Sequence, residues 1–151
     1  MKALEPFVQF LEKSPTTFHA AKEIIKSLTE SGFIPLCEKD KWSLQPGKSY
    51  FVCRDASLVA AFRVPHKTPK SATLLASHLD SPCLKIKPRP EQTSHGVGQL
   101  GTEIYGAPIL HSWLDRDLVI AGRICALNAK GKAHSFLVRL DEHPVIIPQL
   151  A

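Results

Sequence analysis

The sequence predicts an α/β fold, on three observations. Helical periodicity is confined to the first third of the chain. Short β-type segments follow from residue 33 onward. One compact apolar run, Ala72-Thr73-Leu74-Leu75-Ala76, then delivers a histidine and an aspartate at its carboxyl end.

The elements can be justified in order. Leu4, Phe7, Val8, Phe10 and Leu11 recur near helical spacing and predict a first amphipathic helix. Pro6 is tolerated there only in the opening turn. Ser14-Pro15-Thr16-Thr17 breaks the pattern, and Thr16 or Thr17 can cap a second helix through Ala20, Ala21, Ile24, Ile25 and Leu28. Gly32 supplies its stop. Phe33–Leu36, Ser49–Arg54 and Ser57–Val64 mix apolar with β-branched or aromatic residues, and Gln45-Pro46-Gly47-Lys48 is a strand-joining turn. Pro65 to Lys70 is a polar surface loop. Ala72–Ala76 reads as a short buried strand. After Pro88-Arg89-Pro90, the polar stretch Glu91–Gln99 suits a crossover into a different substructure. Gly101–Tyr105, Leu118–Ala126, Ser135–Leu140 and Val145–Ile147 then read as strands, with Asn128–Lys132 as a hairpin loop. The last residues, Val145 to Ala151, are apolar to the end, as if the chain were cut short.

A 151-residue chain with 44% hydrophobic and 22% charged residues has the composition of a globular domain. No apolar run approaches the roughly 20 residues of a membrane helix. Met1-Lys2-Ala3-Leu4-Glu5-Pro6 lacks the apolar core of a signal peptide, so a cytoplasmic location is expected. Cys37, Cys53, Cys83 and Cys125 form no Cys-x-x-Cys pair and are expected to be reduced and partly buried. The net charge of +5 does not argue for nucleic acid. Lys85, Lys87 and Arg89 alternate with Leu84, Ile86 and Pro88, which on a strand makes one solvated face. No RNP-like, zinc-finger or recognition-helix pattern is present.

Two constellations carry chemistry. In Ser77-His78-Leu79-Asp80-Ser81-Pro82, His78 and Asp80 leave the carboxyl end of an apolar strand, the edge at which open α/β sheets assemble ligand sites. In a His-x-Asp unit the imidazole can bind a metal while the carboxylate takes the other ring N–H. A histidine beside a strand is more often structural, but this position favours half of a zinc site. The second constellation runs from Tyr105 to Leu118 and contains His111-Ser112-Trp113-Leu114-Asp115-Arg116-Asp117. Trp113 is expected to fill a core, Arg116 to pair with its flanking carboxylates, and Asp115 or Asp117 to cap a turn. His111 can donate to a developing oxyanion. Ser77 and Ser81 sit in no nucleophile elbow. Gly96-Val97-Gly98 lacks the context of a phosphate loop. His19, His66, His95, His134 and His143 have no partner at ligand spacing.

These residues resemble a known family. Ser77–Lys85 is similar to the His-Thr-Asp-Ser-Pro-Cys-Leu block of the aspartyl aminopeptidases, a family of two-zinc exopeptidases. His111–Leu118 with Ala121-Gly122-Arg123 resembles its His-Thr-Trp-Phe-Asp-Arg-Asp-Leu…Ala-Gly-Arg block. Ser14–Ala20 and Ile147–Ala151 resemble further family segments, in the family's order.

The resemblance implies the start of a zinc-exopeptidase-type catalytic α/β domain (residues 1–91), followed by the first part of a β-rich dimerisation domain (residues 92–151). It implies that His78 binds one zinc of a bridged pair and that Asp80 orients it. It further implies that His111 reaches a neighbouring subunit's active site to help hold the transition state. Peptides with a free, often acidic, N-terminal residue would be the substrates. The assembly would be a homo-oligomer built from dimers, commonly a dodecamer, with neither nucleic acid nor membrane as partner. Leu79 and Leu114 replace the family's threonine and phenylalanine, and Ala107-Pro108 replaces a glycine-rich stretch. The family's remaining zinc ligands and its general base lie beyond residue 151, so the chain alone is expected to be inactive. The rival expectation is a non-catalytic truncated relative that serves as an oligomerisation module.

Overall fold

The computed structural model describes residues 4–149. Met1-Lys2-Ala3 and Leu150-Ala151, which belong to the predicted leaderless start and apolar end, lie outside the described residues.

The chain is mixed α/β, as expected. Helix α1 spans Glu5–Lys13 with Pro6 in its first turn. Helix α2 spans Thr17–Glu30 and is capped by Thr16, whose hydroxyl accepts from the His19 backbone N–H at 3.4 Å. The same hydroxyl meets His19 Nδ1 at 2.8 Å. Beyond α2 the chain turns through Gly32 at φ +79°, a left-handed stop that glycine adopts without strain.

Three strands form the first sheet: β1 (Ile34–Leu36), β2 (Ser49–Arg54) and β3 (Leu58–Arg63). β1 pairs parallel to β2, and β2 antiparallel to β3 with Tyr50 opposite Phe62 and Val52 opposite Ala60. The β2–β3 turn holds Asp55 and Ala56 at φ +51° and +54°, which matches the twist a tight hairpin needs. α2 packs on β2 and β3. The buried core among the described residues is small: Ala20 and Ala21 on α2, and Tyr50 and Phe51 on β2. Trp42 and Tyr50 both stack on Phe62, extending this apolar centre. The Tyr50 hydroxyl accepts from the Gln45 amide at 2.9 Å, so its polar end is satisfied.

Strands β4 (Cys83–Ser94) and β5 (Val97–Tyr105) form an antiparallel pair, and β6 (Leu118–Leu127) and β7 (Ala133–Val145) form another two-stranded sheet. Contacts divide the chain into two units, Met1–Leu79 with Ala121–Arg139, and Asp80–Ile120 with Leu140–Ala151. In the first unit the Arg123 guanidinium lies 4.1 Å from the Phe18 ring centroid and donates to the Asp55 carbonyl at 3.1 Å.

Three expectations are corrected. Ala72–Ala76 is not a strand: residues 71–82 carry no secondary structure, and Leu74 and Leu75 are 88% and 91% exposed. An apolar run becomes a buried strand only between partners, and no described strand pairs with this one. Glu91–Gln99 is not a crossover but the tip of the β4–β5 hairpin, where His95 and Gly96 both take positive φ as a two-residue turn requires. The alternating face of Lys85, Lys87 and Arg89 is interrupted after Ile86, because Ile86 pairs with Thr102 while Glu91 pairs with Leu100. Pro88 and Pro90 have no N–H to give the ladder, so the strand bulges there. The cysteines are all free; Cys53 and Cys83 are half-buried, and Cys37 and Cys125 are exposed.

Two stability effects follow. Phe51, 4% exposed, should cost about 3–5 kcal/mol when changed to alanine, and Thr16→Ala about 1 kcal/mol, both read by urea unfolding. Burial, then the charges of Lys22 and Arg139, lowers the His19 pKa below its ordinary 6.5. A lowered folded-state value stabilises the fold above pH 6.5, and this contribution is lost as pH falls through the folded midpoint. NMR titration of His19 should therefore give a midpoint below 6.5.

Candidate active site

Asp80 is the best-defined member of the site. Its Oδ2 accepts from the Tyr105 hydroxyl at 2.6 Å. The fold produces this contact because Tyr105 ends β5 directly opposite Cys83, the first residue of β4. The phenol therefore lies beside the segment that precedes β4. Lys85 Nζ sits 3.7 Å from the Tyr105 ring centroid, a cation–π contact across the same pair of strands. Gly106 follows at φ +73°, and a Cβ there would meet Pro82 at 3.3 Å. The Tyr105-Gly106 corner thus packs closely on Pro82 while its phenol holds Asp80.

Hydrogen bonding to Asp80, reinforced by the carboxylate's charge, raises the Tyr105 pKa above the usual phenol value. Sequence reasoning gave Tyr105 no role. It lies 25 residues from Asp80, and neither residue's neighbours announce the pairing.

His78 is exposed and lies on the unpaired stretch just before Asp80. By contacts it belongs to the first unit, whereas Asp80 and His111 belong to the second. His111 is also exposed, on a single 3₁₀ turn, Leu110–Trp113. Ser112 closes that turn, donating to the Ile109 carbonyl from its backbone N–H at 2.9 Å and from its hydroxyl at 2.7 Å. Trp113 is half-buried. Asp115 neither caps a local turn nor pairs with Arg116; its Oδ1 accepts from the Gln149 amide at 3.0 Å.

Among the described residues no three of His, Cys, Asp and Glu come together as a group able to hold a metal ion. Catalytic zinc takes three protein ligands and an open position. His78 offers one imidazole, so the described residues do not by themselves fit a zinc ion.

The chain belongs to the aminopeptidase I zinc metalloprotease family, M18, whose family model matches residues 10–151. It is similar to the probable M18 family aminopeptidase 2 of Pseudomonas syringae pv. syringae (strain B728a), at 40% identity over 146 residues, which covers 95% of this chain and 34% of that protein. Among solved structures it resembles mApe1 of Chaetomium thermophilum, at TM-score 0.89 and 33% identity, covering 97% of this chain and 34% of that one. It also resembles the mApe1 dodecamer of S. cerevisiae, at TM-score 0.88 and 29% identity, covering 97% of this chain and 35% of that one. The chain therefore spans about a third of the length of the relatives it matches.

Replacing Asp80 with asparagine removes the charge beside Tyr105. The phenolate absorbance titration of Tyr105 should then move down toward the ordinary tyrosine value.

Proposed function

We propose that this chain forms the N-terminal part of a zinc-dependent aminopeptidase that removes N-terminal residues, acidic ones by preference, from peptides. The family match over residues 10–151 supports this reading most directly. It is joined by a His78–Asp80 unit whose carboxylate is already held in place by Tyr105.

In this proposal residues 1–91 open the catalytic domain and residues 92–151 begin the β-rich dimerisation domain. His78 supplies one imidazole ligand to a zinc site completed by residues outside this chain. Asp80 orients that imidazole and raises its basicity. His111, carried on an exposed turn, donates a hydrogen bond to the oxyanion that develops during peptide cleavage, within a neighbouring subunit. The working form is a homo-oligomer, a reading supported by the dodecamer solved for the S. cerevisiae relative, and it works in the cytoplasm. No described helix is long and apolar enough to cross a membrane.

The test compares the 151-residue chain with a longer protein that carries it. Metal analysis of the chain alone should find little zinc, and peptides with acidic N-termini should remain uncleaved. Stoichiometric zinc with activity would overturn the division of ligands. A stable, defined oligomer that stays inactive at every length would favour a non-catalytic assembly module instead.

In the longer protein His78→Ala should lose one zinc and nearly all activity. Asp80→Asn should weaken metal affinity by roughly 10–100-fold. His111→Ala should lower turnover and leave the zinc content unchanged; unaltered turnover would remove His111 from the reaction.

A further inference from the structure

The His111 turn stands between two anchors, one on each side of it along the chain. The first is the Gly106–Pro82 contact, four residues ahead of Leu110. The second is Asp115, two residues past the turn. Asp115 has φ +52°, a left-handed conformation that few residues other than glycine adopt and that asparagine and aspartate tolerate best.

That conformation is used. The Asp115 backbone N–H donates to the Ile147 carbonyl at 3.0 Å, and its side-chain Oδ1 accepts from the Gln149 amide at 3.0 Å. One residue thus grips two points of the 147–149 segment, 34 positions away from its carboxylate. Both bonds lie within one compact unit, the one that also holds His111. A four-residue 3₁₀ turn in which only Trp113 is half-buried has little packing of its own to fix its direction. His111 lies four residues before this clamp, so the aim of its imidazole depends on where the clamp sets the turn.

We infer that Asp115 is a positioning residue for His111: its left-handed backbone and its hydrogen bonds to Ile147 and Gln149 lock the turn that presents the imidazole. This inference rests on the role proposed above for His111.

The chemistry of the clamp separates three substitutions. Asparagine keeps both the acceptor oxygen and the tolerance for positive φ. Glycine keeps only the backbone freedom, so the Ile147 bond survives and the Gln149 bond is lost. Alanine loses the acceptor and is strained at this φ as well.

Two measurements test it. In the 151-residue chain, hydrogen exchange of the Gln149 amide should be slow in the parent and in Asp115→Asn, and fast in Asp115→Gly and Asp115→Ala. In the longer enzyme, Asp115→Gly should lower kcat on the order of tenfold to a hundredfold while KM and zinc content stay near the parent values, with Asp115→Asn restoring turnover. Equal exchange rates in all variants would overturn the clamp. A normal kcat in Asp115→Gly, alongside a slowed His111→Ala enzyme, would overturn the positioning role and leave the proposed function intact. A normal kcat in His111→Ala would instead overturn the role of His111, and the inference with it.

Discussion

Backbone hydrogen bonding decides which apolar runs of this chain become structure, and the rest of the molecule follows from that constraint. Ser49–Arg54 lies between two partners, parallel β1 and antiparallel β3, and it carries the two buried aromatic residues Tyr50 and Phe51. Ala72–Ala76 is no less apolar but has no ladder among the described strands, and its leucines face solvent. Sheet formation shields side chains only where neighbouring strands also satisfy the N–H and C=O groups. The same rule accounts for the other two sheets, each only two strands wide, whose apolar residues such as Ile104 and Phe136 remain largely exposed. A chain spanning about a third of its relatives can close its first sheet and still leave much apolar surface bare.

The candidate site depends on strand pairing in the same way. The carboxylate of Asp80 is held, because Tyr105 and Gly106 arrive at the end of a strand paired residue by residue with β4. His78, two residues earlier, sits on the unpaired stretch. A charge-assisted O–H···O bond of 2.6 Å is among the stronger contacts available to a phenol. That bond fixes the Asp80 carboxylate at the base of the β4–β5 hairpin.

Much of this was legible in the residues themselves. Both helices read correctly because caps and stops are local: Thr16 and Gly32 act on their own turns. Ser49–Arg54 was legible because aromatic and β-branched residues clustered between clear turns. Asp80 stood out by its His-x-Asp spacing, but its hydrogen bond to Tyr105 did not. What escaped was non-local. Glu91–Gln99 was misread because a His-Gly tip resembles any polar loop until its flanks are seen to pair. The Ala72–Ala76 run was misread because apolarity records a capacity for burial, not the presence of a neighbour. Tyr105 with Asp80, and Asp115 with Gln149, join residues 25 and 34 positions apart, and no periodicity encodes such a meeting.

The open stretch from Ser71 to Pro82 has one further consequence. Proteases thread their targets through the active-site cleft as extended backbone, and exposed segments without secondary structure are where nicking concentrates. Here that segment carries His78 and Asp80. Exposed backbone makes residues 71–82 the place where a protease would cut this chain first, ahead of the hydrogen-bonded strands on either side.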